Sequence, residues 1–144
     1  MNARWAAAPV VAIAAALAGC VFGSVDRERY VKANEALFEQ LPSFPGTRIT
    51  SETSHAYRES ENGPVVGYTT LVLLALPKEA TPEAVAAFFE SRLSPEWRLV
   101  SRVDEPPFAA GPILNFRKGE ALVSVNLESW RGHILEIAVD HANT

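Results

Sequence analysis

The last third of the chain confines it most. Three segments, "ILNFR" (113–117), "ALVSVNLES" (121–129) and "ILEIAVD" (134–140), alternate apolar and polar residues, with only "KGE" and "WRGH" between them. A period of two marks a half-buried strand, and connectors this short allow only hairpins, so neighbouring strands must be antiparallel. The inward sets are expected to be Leu114 and Phe116, then Val123, Val125 and Leu127, then Leu135, Ile137 and Val139. Asn115, Arg117, Ser124, Asn126, Glu128, Glu136 and Asp140 fall on the other face, which one-sided antiparallel sheets leave in water.

The preceding sequence adds strands and two helices. "EWRLVSRV" (96–103) alternates again. "VVGYTTLVLLAL" (65–76) is apolar on both faces and reads as a central, covered strand. Its hairpin partner is "GTRITSETSHAYRES" (46–60), across the turn "ENGP", with Ile49, Ser51, Thr53, His55 and Tyr57 expected on one face. Ser24 can cap a helix with Asp26 and Glu28 in its first turns. The apolar stripe of that helix is Tyr30, Ala33, Leu37 and Leu41 with Phe38 beside them, and Pro42 and Pro45 end it. Thr81 and Pro82 open a second helix, whose apolar face is Val85, Phe88, Phe89 and Leu93 and which Pro95 stops. The order α-β-β-α-β-β-β-β predicts one small α+β domain: a largely antiparallel sheet of five or six strands with two helices packed on one face.

A compositional break lies near residue 23 of the 144. Before it the one charged side chain is Arg4; after it charges are frequent. A basic start, an apolar run from Trp5 to Leu17 and the small residues Ala18 and Gly19 follow the plan of a secretory signal peptide. The 19 residues from Trp5 to Gly23 include Pro9 and many alanines, a weak candidate for a span that needs about 20 apolar residues. The chain's single cysteine, Cys20, comes directly after this segment.

Leu17-Ala18-Gly19-Cys20 resembles the lipobox of bacterial lipoproteins. The resemblance covers only the first 20 residues. It implies a diacylglyceryl group, palmitate-like in its chains, on the Cys20 thiol, cleavage between Gly19 and Cys20, and often acylation of the new α-amino group. The chain then divides into a signal peptide (1–19), a lipidated cysteine with a very short tether (20–23) and the α+β domain (24–144). Each buried acyl CH₂ contributes about 0.8 kcal/mol, so two or three chains hold the protein on its membrane almost permanently. Val21, rather than Asp, follows the cysteine. By the same resemblance the expected location is extracytoplasmic: the outer membrane of a two-membrane bacterium, or the outer leaflet of the cell membrane where there is one.

Little in the domain points to catalysis. The formal charge of −4 becomes −5 without residues 1–19, whose only charge is Arg4. The absence of a Lys/Arg cluster argues against nucleic acid. His55, His133 and His141 have no metal-ligand spacing, and no second cysteine joins them. Ser51 and His55, four residues apart on a strand, are separated by about 13 Å. His141 sits close to the chain end, where fraying is expected. No catalytic, cofactor-binding or metal-binding residue is therefore assigned. The candidate partner contacts are Trp130 and Arg131 in the "WRGH" turn and Phe108 in the loop "DEPPFAAGP". The expected function is a membrane-anchored, non-catalytic binding or envelope-structural module for a protein or envelope polymer. The alternative is a carrier of an apolar ligand between helices and sheet, which a cavity of more than about 300 Å³ beside Phe88 and Phe89 would favour. A cleft pairing a histidine with a carboxylate would instead mark an envelope enzyme.

Overall fold

The computed structural model describes residues 25–93, 95–106, 111–128 and 133–141. Its elements are α1 (Arg27–Phe38), β1 (Arg48–Arg58), β2 (Val65–Ala75), α2 (Pro82–Arg92), β3 (Arg98–Val103), β4 (Ile113–Lys118), β5 (Ala121–Glu128) and β6 (Ile134–His141). The strands form one antiparallel six-stranded sheet in the order β1-β2-β6-β5-β4-β3. Together they make a small α+β domain. β6 returns to pair with β2, so both edges of β2 are taken and α2 carries the chain across to the far edge, where β3 starts.

Local chemistry accounts for the boundaries. Thr81 caps α2, its Oγ1 accepting from the Ala84 N–H (3.2 Å), with Pro82 in the first turn. The β4–β5 hairpin pairs Lys118 with Ala121, and Gly119 takes φ 59° at the first turn position, where a side chain would be strained. The N-cap of α1 is Asp26, not Ser24: its carboxylate accepts from the Arg29 N–H (3.1 Å). The helix also stops at Phe38, short of Leu41. The Gln40 and Leu41 N–H groups bond back to the Leu37 and Phe38 carbonyls (3.1 and 3.0 Å), tightening the chain into a three-residue turn ahead of Pro42.

The expected inward sets of β4, β5 and β6 are all buried. They join Val72, Leu74 and Leu76, with Val85, Ala86 and Phe89 from α2, in one apolar cluster to which Trp97 also belongs. Leu37, Phe38 and Leu41 pack against the same cluster. Burying each of the larger side chains contributes about 1.5–3 kcal/mol. Three expectations need correction. β2 is covered on one face only, since Leu71 and Leu73 on the other are half-buried. β1 does not keep Ile49 on the face of Thr53, His55 and Tyr57. A bulge leaves Thr50 unpaired, so Ile49 opposes Leu74 while Ser51 opposes Leu73, and Ile49 turns to the core side. His141 is not a frayed end; it is the last residue of β6 and is half-buried.

Candidate functional site

The sequence candidates fall in two groups. Gly19, Cys20, Phe108, Trp130 and Arg131 lie outside the described residues. The histidines are described, and each has its own surroundings. His55 is exposed on β1, with Nε2 3.4 Å from Thr53 Oγ1. His133 takes φ 47° and its carbonyl accepts from the Leu76 N–H (2.8 Å). Among the described residues no group of three or more His, Cys, Asp or Glu side chains could hold a metal ion, and no helix is long and apolar enough to cross a membrane.

Two neighbouring regions under α1 remain. The first is a polar seam. The β2–β6 register runs from Ala75↔Ile134 to Thr70↔Val139, and carried two residues further it would oppose Tyr68 and His141. There the fully buried Asn34 of α1 stands between the strands. Its Nδ2 donates to the Tyr68 carbonyl (2.8 Å) and Thr70 Oγ1 (3.1 Å), and its Oδ1 accepts from the His141 backbone N–H (2.8 Å). One carboxamide thus replaces the missing rung of the ladder. The His141 ring Nδ1 is also 3.2 Å from Asn34 Oδ1, and Ser54 Oγ lies 2.9 Å from Thr70 Oγ1.

One turn earlier, Tyr30 enters the same opening. Its ring is 4.2 Å from that of His141, centroid to centroid, and edge-on to it. Its hydroxyl donates to Asp140 Oδ1 (2.8 Å) and lies 3.2 Å from the Tyr57 hydroxyl. Tyr57 belongs to the other face of the sheet, where its ring lies over Gly67; any Cβ at that position would run into it.

The seam's electrostatics follow from this packing. Burial, with the bonds to Tyr57 and Asp140 and the Asp140 charge added, pushes the Tyr30 phenol well above its ordinary value. Burial also raises Tyr57; its bond to Tyr30 opposes the rise and Asp140 adds to it. Burial lowers His141, Asp140 opposes that, and Arg29 adds to it. All three shifts favour the uncharged forms. Asp140 and His141 are adjacent in sequence, but Asp140 meets Tyr30 and the histidine ring meets an amide oxygen.

The second region is a cavity of about 300 Å³ beyond the C-terminal end of α1. Phe38, Leu41, Phe44 and Ile49 face Leu74, Phe89, Leu135 and Ile137 across it, and Glu39, Ser43 and Thr47 stand with them in its lining. The loop from Leu41 to Thr47 forms the outer wall. Gly46 takes φ 77° to turn that loop back into β1, and Thr47 Oγ1 donates to the Phe44 carbonyl (2.7 Å). Phe44 meets Phe88 edge-on at 5.2 Å, and Phe88 meets Phe89 at 5.3 Å. Ile49 reaches the cavity only because of the bulge at Thr50.

Neither a family profile, a curated protein nor a solved structure matches the chain. The site therefore rests on its own geometry. Sequence reasoning passed over Asn34, yet a signal was present: Asn34 is four residues after Tyr30 and four before Phe38, on the buried stripe of α1.

Proposed function

We propose that the chain is a lipid-anchored, non-catalytic binding module of a bacterial cell envelope, and that it carries an apolar ligand under the end of α1. The observation that supports the ligand is the cavity of about 300 Å³ between helix, loop and sheet, at and not above the expected size and lined by Phe89 but not Phe88. That volume is at the lower end of the range of small-molecule pockets, about 300–1,000 Å³. The reading takes both helices to lie over one face of the sheet. In support, Leu37, Phe38 and the α2 residues Val85 and Phe89 share a cluster with Leu74, Leu135 and Ile137.

The anchor is supported by Leu17-Ala18-Gly19-Cys20 behind its apolar run. The Val25 N–H already bonds to the Val65 carbonyl (3.1 Å). Five residues from Cys20 to Val25 extend at most about 18 Å, so the domain would sit close to its membrane. Binding of a protein or envelope polymer through Trp130, Arg131 or Phe108 is the other form this module could take, and it rests on the sequence alone.

Two measurements test the proposal. Mass spectrometry of a solvent extract, from full-length protein purified out of membranes, should find an apolar small molecule in near-stoichiometric amount. Its absence from saturated preparations would count against a carrier. Metabolic labelling with a palmitate analogue should mark the parent and leave Cys20→Ser unlabelled and uncut at Gly19. Equal label in both would remove the anchor.

A further inference from the structure

We infer that the cavity accepts a single aliphatic chain with a cationic or uncharged head, a long-chain amine fitting best, and disfavours the matching carboxylate. This rests on the carrier reading and adds the ligand's class.

Size sets the tail. An apolar cavity of about 150 Å³ stays dry and takes a benzene ring. The present one, at about 300 Å³, has twice that room. It suits one chain of about eight to ten carbons and is too small for two. Its inner wall, from Leu74, Phe89, Leu135 and Ile137, offers only hydrocarbon.

Charge sets the head. Among the described residues Glu39 is the only ionisable side chain in the lining, and it is exposed. It is also the C-cap of α1, where the helix dipole adds partial negative charge, and the last turn of α1 has no basic residue. The nearest base in sequence, Arg48, pairs with Ala75, whereas Ile49 pairs with Leu74 on the cavity side. Successive strand residues point to opposite faces, so Arg48 is directed away from the mouth. Ser43 and Thr47, hydroxyls 3.2 Å apart, supply acceptors for an ammonium or hydroxyl head. A carboxylate would meet Glu39 and the dipole as like charges. Exposure keeps the effect modest: attraction for the cation and repulsion of the anion, each weakened by water, separate the two by about tenfold.

The test uses the full chain in lipid nanodiscs and an octylamine bearing a photoreactive diazirine on its tail. Light should cross-link it to peptides containing Phe38–Ile49 and Leu135–Ile137. Octylammonium and octan-1-ol should compete at neutral pH, and octanoate should compete about tenfold less well than octylammonium. Glu39→Gln should close that gap, and because membrane partitioning is unchanged by the substitution, the comparison isolates the mouth. Ile49→Trp, at an exposed rim position, should abolish the cross-link. If no head group gives a cross-link in these peptides, both the carrier reading and this inference fail. If the cross-link forms but the three competitors are equal, or the gap survives Glu39→Gln, the carrier stands and the head-group inference is overturned.

Discussion

The two ends of α1 lie on the same sheet and solve opposite problems. At the N-terminal end, Tyr30 and Asn34 enter a gap between β2 and β6, and their polar atoms find partners on both strands. At the C-terminal end, Phe38 and Leu41 face apolar side chains across a cavity whose lining also includes Glu39, Ser43 and Thr47. Directional bonds fix the first end in one geometry. Apolar contacts tolerate repacking and leave the second end able to admit a guest. The difference separates the part that holds α1 in register from the part where the proposed ligand would sit.

The largest expected effect falls on the polar end. Asn34→Ala leaves the Tyr68 carbonyl and the His141 N–H without the partner that a fully buried side chain gives them, and unsatisfied buried groups cost about 1–3 kcal/mol each. Loss of about 3 kcal/mol or more is expected from equilibrium urea unfolding. Leu41→Ala, at the edge of an existing cavity, should cost about 1 kcal/mol, because the removed atoms were only half-buried. If Leu41→Ala proved the more costly, the assignment of rigidity to the polar end would be wrong.

Tyr30→Phe sharpens the same contrast. It keeps the ring and removes the proton donated to Asp140, a bond to a charged acceptor worth about 1.5–3 kcal/mol. It should also alter the alkaline limb of the stability profile. Tyr30 and Tyr57 are raised in the fold, chiefly by burial, so the native state keeps phenol protons that the unfolded chain releases near pH 10. The stability they contribute is full below about pH 10 and is lost as pH rises toward the folded values. Denaturation followed by phenolate absorbance should show a shallower alkaline decline in the Tyr30→Phe protein than in the parent.

The strands and the second helix were legible because period-two alternation and the Thr81-Pro82 start are local signals. Every inward residue assigned to β4, β5 and β6 is buried for that reason. The candidate site was much less legible. Ile49 changes face through a one-residue bulge, and the Thr50 hydroxyl that bonds the Leu73 carbonyl there (3.1 Å) looks like any other strand threonine in the sequence. Asn34 matters because of a rung missing between Tyr68 and His141, which lie on strands far apart in sequence, so no local window contains it. The cavity arises from the loop between Leu41 and Thr47, whose prolines announce an end to the helix and not where the chain goes next.

The smallest expected effect concerns His141, where the polar seam should respond weakly to acid. Its ring faces Tyr30 and the Asn34 amide, with Asp140 beside it in the chain and Arg29 near enough to act through its charge. Burial lowers its affinity for a proton in the fold, Arg29 adds to this, and Asp140 partly offsets it. The unfolded chain therefore binds a proton near pH 6.5 while the native state still declines it. More protons on the unfolded side means that stability rises with pH in that window. The contribution is complete above about pH 6.5 and fades as pH falls toward the folded value. His141→Phe keeps an aromatic ring against Tyr30 and removes the titration. Urea midpoints measured between about pH 7 and pH 5, above most carboxylates, should fall in the parent and stay nearly level in His141→Phe. Parallel declines in the two proteins would show that the seam does not sense acid through this ring, and that the contrast between the two ends of α1 is one of packing alone.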